Sequence, residues 1–303
     1  MLTFTQDATH NILLAHFTKL ENDTPLVKNP AQRVLELQSF ETCRNSCHGP
    51  VIIVASGPSA STFPLEKYRH IPMIAMNGSL LRLQQDNIKP IFYLCDDPRF
   101  VKNRTQVVVD AAVTASNIGL NGPSLDKLLQ LQPDCSFKAN HSLMERVNRS
   151  WQHKPVSDLR YAWSIRHDTE LLSNFSLLRR KPNRIGFSTN LTKGYFSART
   201  IPYAALQVAC HMGFNQAFLV GLDLNPALGR CYSENDRVLK STLDIDYDDF
   251  ILPSFTFMQE RIQQAGDFSV YNLSTESRLP DTVVPKLTLP AFDALLSTMA
   301  LNT

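Results

Sequence analysis

The sequence has no long hydrophobic run and no leader-like beginning. Its most apolar stretches, VIIVA from Val51 and AFLVGLDL from Ala217, are far shorter than the roughly 20 residues that a helix needs to cross a bilayer. The first residues, MLTFTQDATHNILLAHF, lack the basic segment and the apolar run of a secretory signal. We therefore expect a soluble, intracellular protein.

Excess charge of one sign and regularly spaced cysteines are also missing. The 303 residues carry 30 Lys and Arg against 28 Asp and Glu, and the net charge of +2 is too small to indicate nucleic-acid binding. The six cysteines are scattered, which excludes a disulfide scaffold. Cys43 and Cys47-His48 have no second Cys/His pair at metal-binding spacing, so no zinc site is predicted. With 43% hydrophobic residues, the chain is neither disordered nor collagen-like.

What is present is a series of short apolar runs, each followed by small polar residues. The run from Val51 is continuous and mostly β-branched, which is typical of a strand buried on both faces of a parallel sheet. Further strands are predicted at 73–76, 91–95, 217–220 and 269–272, with helices at 80–87, 200–213 and 253–264. The pattern predicts an α/β fold, a Rossmann-like, mostly parallel open sheet flanked by helices.

The chain divides into predicted segments of different character. They are a helical N-terminal extension (1–48), the α/β domain (49–285), a helical insertion or lid within it (120–181) and a C-terminal tail (286–303). The extension is predicted to be helical because amphipathic patterns run over 11–20 and 31–40. The insertion is rich in Arg and Lys. Those residues form a solvated face, or they meet a polyanionic acceptor or anionic lipid headgroups.

Candidate functional residues follow the predicted strands, because ligands bind outside the carboxyl ends of the strands in open α/β sheets. The first loop is Ser56-Gly57-Pro58-Ser59. Gly57 lets backbone approach a ligand closely, and Ser59 could donate a hydrogen bond; the alternative is a plain strand-to-helix turn. Neither the GxxxxGK[ST] phosphate loop nor the GxGxxG dinucleotide fingerprint is present.

Three other acidic or amide clusters are candidates, each with an alternative. Asn77, before Gly78, could read a base edge or a ribose, or it could form an Asx-turn. Asp96 and Asp97 could hold ribose hydroxyls, or they could cap the helix that begins at Pro98. Asp244-x-Asp246-x-Asp248 contains two DxD matches of the kind that carries a divalent metal in many sugar transferases, or it is a general acidic loop.

Seven stretches occur in order over roughly residues 50–285: VIIVASGPSASTFPL, IAMNGSL, DDPRF, GYFSARTIPYAALQVA, GLDL, GRCYSE and VYNLSTESRLP. Together they resemble the lipopolysaccharide core Kdo transferase family, which adds a further 3-deoxy-manno-octulosonic acid (Kdo) to the inner core. More distantly, the skeleton is similar to bacterial lipooligosaccharide sialyltransferases, which use CMP-activated sialic acid.

The resemblance implies a nucleotide site on the first three loops. Its residues are Ser56, Gly57, Pro58, Ser59, Asn77, Gly78, Asp96 and Asp97. It also implies a phosphate contact by Tyr232 and a donor contact near Thr200. The chain departs from the sialyltransferase pattern at Asp96 or Asp97, where an asparagine is usual, and at Asn225, where a tyrosine is usual. Their catalytic histidine has no counterpart, because no histidine follows His211.

The implied reaction is transfer of Kdo from CMP-Kdo by direct displacement. Hydroxyl and cationic groups would stabilise the departing phosphate, and the candidates are Tyr232, Arg230 and Thr200. Arg199 or Lys193 would bind the sugar carboxylate. Without a histidine, the general base is expected to be a carboxylate, first Glu234 and then Asp223.

The implied partners are a CMP-sugar donor and the lipopolysaccharide inner core, with no nucleic acid. No cofactor is required; a divalent cation is compatible with the reaction, but the DxD matches are not predicted to bind it. The expected location is cytoplasmic and peripheral, on the inner face of a bacterial inner membrane. Two other functions stay open, another CMP-sugar transferase such as a sialyltransferase and a non-catalytic nucleotide- or glycan-binding protein.

Overall fold

A computed structural model of the chain describes residues 17–19, 25–28, 34–149, 154–232, 243–266 and 268–300. The strands are β1 (Phe17–Lys19), β2 (Pro25–Lys28), β3 (Val34–Glu36), β4 (Pro50–Val54), β5 (Met73–Met76), β6 (Phe92–Cys95), β7 (Asn117–Leu120), β8 (Asn140–Leu143), β9 (Leu171–Ser173), β10 (Gly186–Ser188), β11 (Gln216–Val220) and β12 (Ser269–Asn272). The α-helices are α1 (Ser59–Thr62), α2 (Ser79–Gln85), α3 (Pro98–Asn103), α4 (Thr105–Thr114), α5 (Gly122–Leu131), α6 (Asp158–Ser164), α7 (Ile201–Met212), α8 (Leu243–Asp246), α9 (Leu252–Met258) and α10 (Leu289–Ala300). Within these residues, no helix has both the length and the apolar composition to cross a membrane.

Seven strands form one parallel sheet in the order β12-β11-β4-β5-β6-β7-β8. The chain starts this sheet at β4, runs outward to β8 and later adds β11 and β12 on the other side of β4. The strand order therefore reverses between β4 and β11, and such a reversal leaves a crevice at the carboxyl edge of the sheet. The predicted α/β fold with an open parallel sheet is confirmed.

The central strands are apolar on both faces because each face has its own core. Successive strand residues point to opposite sides. Ile53 and Leu219 pack with α7 on one side, and Ile52 and Phe218 pack with α2, α4, α5 and α10 on the other. All four side chains are fully buried. Burial on both faces explains why a continuous run such as VIIVA predicts its strand well.

The helix predicted over 200–213 is α7. Thr200 occupies the N-cap position without a side-chain capping bond, and Pro202 lies in the first turn. Gly213 ends the helix with φ of 95°, in the left-handed region that glycine adopts at no steric cost. The strands predicted at 73–76 and 269–272 coincide with β5 and β12.

The prediction of helices at 11–20 and 31–40 is wrong for the described residues of those ranges. β1 and β3 lie there instead, and both pair with β2 in a small antiparallel sheet. Strands of three or four residues are too short for their own periodicity to compete with a helix-like spacing of apolar residues. Their type is set by pairing with β2.

The stretch 120–181 is not one helical insertion. Its first half supplies α5 and β8, and β8 pairs in parallel with β7 as the last strand of the sheet. The chain leaves the sheet only after β8. We call the described residues from 144 to 190 the excursion; they contain α6 and the antiparallel pair of β9 and β10.

Residues 286–303 are more than a tail, because they contain α10. Phe292 on this helix is fully buried, with ring centroids 4.6 Å from Phe218 and 4.8 Å from Tyr68. Pro290 stands at the second helical position, where proline is tolerated. The C-terminal helix therefore completes one face of the core.

Candidate functional site

The crevice at the strand reversal contains a cleft of about 230 Å³. It is lined by the loops after β4, β5 and β11 and by the N-terminus of α7. Six predicted site residues line it: Ser56, Gly57, Asn77, Thr200, Asp223 and Arg230. The other described candidates lie outside its lining: Pro58, Ser59, Gly78, Asp96, Asp97, Lys193, Arg199 and Tyr232. Glu234 lies outside the described residues.

The loop after β4 is fixed against the loop after β11. Asp223 is only 3% exposed, and its Oδ2 accepts the backbone N–H of Ser59 at 3.0 Å. A Cβ on Gly57 would lie 2.2 Å from that oxygen and 2.4 Å from the carbonyl oxygen of Gly221. Glycine is therefore required at position 57 by the packing of Asp223 and Gly221, and the predicted approach of a ligand to Gly57 stays a prediction.

Asn77 follows β5 in a left-handed conformation, with φ of 46°. Its N–H donates to Leu94 O at 3.0 Å, and its carbonyl oxygen accepts the Tyr93 hydroxyl at 3.1 Å. The side-chain Oδ1 is buried and has no hydrogen-bond partner in the described part of the chain. An Asx-turn would occupy this oxygen. Because buried polar atoms are normally paired, Asn77 Oδ1 is an acceptor suited to a ligand's N–H.

Tyr232 lies against the same loop. A Cβ on Gly78 would be 2.0 Å from Cε1 of its ring, so glycine is needed where the ring packs. The guanidinium of Arg104 lies 5.8 Å from the ring centroid. The neighbouring Cys231 N–H donates to Ser56 O at 3.0 Å, which ties this segment to the first loop. The predicted phosphate contact of Tyr232 stays a prediction.

The N-terminus of α7 forms another wall of the cleft. Ala198 and Arg199 precede it with φ of 43° and 60°, and each such left-handed non-glycine residue costs about 1 kcal/mol or more. They deliver Thr200 and Ile201 to the cleft. The start of a 12-residue helix carries partial positive charge and exposed N–H groups, so this wall suits an anion.

The two aspartates after β6 are held by protein groups. Asp97 Oδ1 accepts the Arg99 N–H at 2.9 Å, so the capping alternative is confirmed for this residue. Asp96 Oδ2 accepts from Arg146 Nη2 at 3.1 Å and from the Tyr195 hydroxyl at 3.0 Å. Desolvation opposes the charge of Arg146, but Tyr195 and Asp96 raise its pKa above the ordinary value. Neither carboxylate lines the cleft, which argues against ribose binding by either residue.

The cations predicted to bind the sugar carboxylate also lie elsewhere. Lys193 Nζ is 2.8 Å from carboxylate oxygens of both Asp168 and Glu170. Hydrogen bonds to these two carboxylates raise its pKa. Lys193 therefore pairs with two acidic side chains and does not line the cleft. Arg199 stands next to Thr200, with its guanidinium 5.4 Å from the ring centroid of Phe250.

The acidic run at 244–249 makes ion pairs. Asp244 lies 2.8 Å from Arg278, and Asp249 lies 2.5 Å from Lys181. Across the described ranges, no group of three His, Cys, Asp or Glu side chains is placed to hold a metal ion. These contacts favour the acidic-loop alternative over a metal site.

His211 is a packed core histidine. Its Nδ1 accepts the Leu191 N–H at 3.3 Å, and its Nε2 donates to Phe40 O at 2.8 Å. Burial lowers its pKa, so the neutral form is the one that packs. His211 therefore has no role at the cleft.

Sequence reasoning missed Ser274. Its Oγ lies 2.8 Å from Ser59 Oγ and accepts the Leu222 N–H at 3.1 Å, so it joins the loops after β4 and β11. Ser274 follows β12 in the chain. The rule that ligands bind outside the carboxyl ends of the strands would have indicated Ser274 if it had also been applied to the strand at 269–272.

The pattern of a known family covers this architecture. The family described as 3-deoxy-D-manno-octulosonic acid transferase WaaZ matches residues 36–290. A "Probable 3-deoxy-manno-octulosonic acid transferase" of Escherichia coli (strain K12) is 29% identical over 256 residues, which are 82% of this chain and 86% of the relative. A protein of the same name from Salmonella typhimurium (strain LT2) is 30% identical over 239 residues, 78% of this chain and 86% of the relative.

Solved structures show weaker similarity. The sialyltransferase CstII from Campylobacter jejuni, in complex with the substrate analogue CMP-3FNeuAc, has a TM-score of 0.40 and 12% identity, covering 78% of this chain and 84% of that chain. The MAf glycosyltransferase from Magnetospirillum magneticum AMB-1 has a TM-score of 0.49 and 14% identity, and the match covers 98% of this chain and 42% of that chain.

The family match is the finding that assigns the chain to a family. It spans β4 to β12, and so all seven strands of the parallel sheet. It also contains every residue that lines the cleft. The chain therefore belongs to the 3-deoxy-D-manno-octulosonic acid transferase WaaZ family, and it is a glycosyltransferase.

Proposed function

We propose that this enzyme transfers Kdo from CMP-Kdo to the inner core of lipopolysaccharide, with the donor bound in the cleft. The names of the relatives support the sugar. The observation that best supports a cytidine nucleotide is the side-chain Oδ1 of Asn77 in the cleft wall. This oxygen is buried and has no hydrogen-bond partner among the described residues. The exocyclic amino group of cytosine is a donor for this oxygen, whereas uracil has a carbonyl at that position.

The phosphate of the donor fits the opposite wall. The positive end of α7 lies there, with Thr200, and Arg230 also lines the cleft. These groups would stabilise the charge that grows on the leaving phosphate. A CMP-sugar releases a monophosphate, so the reaction does not need a clamp for two phosphates.

The transfer forms one bond and breaks one bond at the anomeric carbon. The acceptor hydroxyl oxygen bonds to that carbon, the bond from carbon to phosphate oxygen breaks, and CMP leaves with the electron pair. The hydroxyl proton passes to a carboxylate. Asp223 is the carboxylate on the cleft wall, and Ser59 N–H holds its Oδ2 at 3.0 Å. We assign it the role of general base, with Glu234 as the competing residue.

The acceptor belongs to a glycolipid anchored in a membrane. The proposal therefore includes a peripheral position for the enzyme on the inner face of the bacterial inner membrane.

The donor site is tested by calorimetric titration with CMP. Asn77→Ala should weaken CMP binding about tenfold, because it removes one hydrogen bond to the base in a buried position. Asn87→Ala is the matched control, since Asn87 is also left-handed, with φ of 52°, but lies outside the cleft lining. Equal CMP affinity in wild type and Asn77→Ala would overturn the placement of the base.

The reaction is tested with CMP-Kdo and a deacylated inner-core oligosaccharide. Mass spectrometry should show a product heavier by one Kdo residue, and CMP-sialic acid should give none. Asp223→Asn should lower kcat about 100-fold or more with little change in CMP affinity. If Glu234→Gln shows that loss and Asp223→Asn does not, the base is Glu234.

A further inference from the structure

The excursion carries an exposed pair of leucines. The segment 174–185 connects β9 to β10, and it carries Leu177 and Leu178, which are 71% and 96% exposed. Single exposed apolar side chains are common on protein surfaces. Two adjacent leucines with such exposed side chains are less common, and they indicate a surface that contacts another molecule or a membrane.

The loop holds these leucines outward through a buried side chain. Asn183 is 4% exposed; its Oδ1 accepts the Ser176 N–H at 2.9 Å. Its Nδ2 donates to Ser176 O at 2.8 Å and to Arg179 O at 3.0 Å. These bonds close the loop across its base, and Leu177 and Leu178 lie between Ser176 and Arg179, two of the residues that they join.

Positive charge surrounds the leucines. Residues 154–184 contain seven Lys and Arg against three Asp and Glu. Lys181 and Arg184 pair with acids, but Arg179 and Arg180 are exposed and make no ion pair with the described residues. Exposed apolar side chains beside such arginines match the chemistry of an anionic lipid surface.

An aromatic side chain extends the same surface onto α6. Trp163 is 49% exposed and lies 5.4 Å, between ring centroids, from Phe175 at the start of the loop. The Arg166 guanidinium stacks 4.0 Å from the Trp163 ring. Leu159, one turn earlier on α6, is 41% exposed. Tryptophan with arginine is typical of side chains that settle at a membrane interface.

We propose that this surface docks the enzyme on an anionic phospholipid bilayer. The docking surface is defined by Leu159, Trp163, Leu177, Leu178, Arg179 and Arg180. The two leucines enter the boundary between headgroups and acyl chains, and the two arginines contact lipid phosphates. The inference deepens the proposed function, and it rests on it only for the idea that the acceptor is carried by a membrane.

The docking surface is connected to the cleft through two side-chain contacts and the chain neighbours of the residues that make them. Lys181, next to the two arginines, pairs with Asp249. Phe250, next to Asp249, lies under the guanidinium of Arg199. Arg199 is followed by Thr200 on the cleft wall. Docking would therefore bring the rim of the cleft near the lipid surface where a membrane-anchored acceptor is found.

Co-sedimentation of the full chain with vesicles tests the docking surface. Wild type should bind vesicles of phosphatidylcholine with 30% phosphatidylglycerol, bind pure phosphatidylcholine weakly, and dissociate as salt is raised. Leu177→Ser with Leu178→Ser should lower binding roughly tenfold. Arg179→Gln with Arg180→Gln should lower it roughly 25-fold, since each arginine near the surface contributes about fivefold. Leu131→Ser and Lys127→Gln on α5 are the matched controls and should bind like wild type.

Two measurements keep this test separate from the proposed reaction. All four variants should transfer Kdo to the deacylated oligosaccharide at the wild-type rate, because that acceptor needs no membrane. The proposal is overturned if wild type binds neither vesicle, if it binds both equally, or if the leucine and arginine variants bind like wild type. A change of oligomeric state in the leucine variant, with vesicle binding retained, would assign the surface to a second copy of the chain instead.

Discussion

The cleft and the excursion use polar side chains in opposite ways. At the cleft, turns are fixed by partly buried hydrogen bonds such as that from Ser59 N–H to Asp223. In the excursion, charges are mostly exposed and meet in surface pairs such as Arg184 with Asp158. Surface pairs contribute only about 0–1 kcal/mol. The comparison teaches that the sheet fixes the geometry of the site, while the excursion can change its surface chemistry with little cost to the fold.

The largest expected effect comes from truncating one aromatic side chain in the core below the sheet and comparing it with one in the excursion. Phe292→Ala empties a fully buried position between Phe218 and Tyr68, and it should lower the free energy of unfolding by about 3–5 kcal/mol. Trp163→Ala in the excursion, at 49% exposure, should cost about 1 kcal/mol. Urea unfolding followed by far-UV circular dichroism measures both.

Leu289→Ala is the control for Phe292, because it lies on the same helix and is 39% exposed. It should change the unfolding free energy by less than about 1 kcal/mol. If Trp163→Ala cost as much as Phe292→Ala, the excursion would be part of the core and the contrast would be lost.

The second effect concerns the wall of the cleft. Gly57→Ala places a methyl group 2.2 Å from Asp223 Oδ2, so the loop after β4 must move. We expect a loss of about 1–3 kcal/mol of stability, as for other overpacked positions, and weaker CMP binding. Thermal unfolding and calorimetric titration with CMP measure these changes. Ser61→Ala, in the same turn but outside the cleft lining, should keep CMP affinity; an unchanged Gly57→Ala would show that the loop is pliable.

The parts of the fold that the sequence predicted share one physical property. β4 and β5 are short, but burial of these central strands on both faces leaves continuous apolar runs. α7 has apolar spacing together with a proline in its first turn and a terminal glycine. In both cases the local residues determine the element, so no distant partner has to be known.

The parts that were not predicted depend on distant partners. Asp96 meets Arg146 fifty residues later, and Lys193 meets Asp168 twenty-five residues earlier. A charged residue beside a loop has the same local pattern whether it faces a ligand or an opposite charge. Helix α10 was missed because Pro280, Pro285 and Pro290 indicate an interrupted stretch, although Pro290 stands at the helix start and the other two precede the helix.

The third prediction concerns the ion pair that joins the parallel sheet to the excursion. Asp96 follows β6, and Arg146 belongs to the excursion; their side chains are 16% and 35% exposed. A double-mutant cycle with Asp96→Asn and Arg146→Met should give a coupling of about 1 kcal/mol, less than for a fully buried pair because water screens the arginine. The same cycle for Asp158 and Arg184 should give about 0.3 kcal/mol. Equal couplings would mean that the pair at the boundary is no more protected than one on the surface.

The smallest effect is the acid sensitivity of the cluster around Glu170, in the excursion. A hydrogen bond from Lys193, then one from Asn190, lowers the pKa of Glu170 from 4.5 to about 2. Since the folded-state pKa is below the unfolded one, the ionised carboxylate stabilises the fold above pH 4.5, and this contribution is lost as the pH falls from about 4.5 towards 2. The side chain is 26% exposed, so we expect a contribution of about 0.5 kcal/mol. The urea midpoints at pH 5.5 and pH 3 should therefore differ less for Glu170→Gln than for wild type. Glu66→Gln is the control, because Glu66 is an exposed acid that pairs with Arg69, and this variant should behave like wild type. A Glu170→Gln protein with the full acid sensitivity of wild type would show that other carboxylates, rather than this cluster, set the acid limit of the fold.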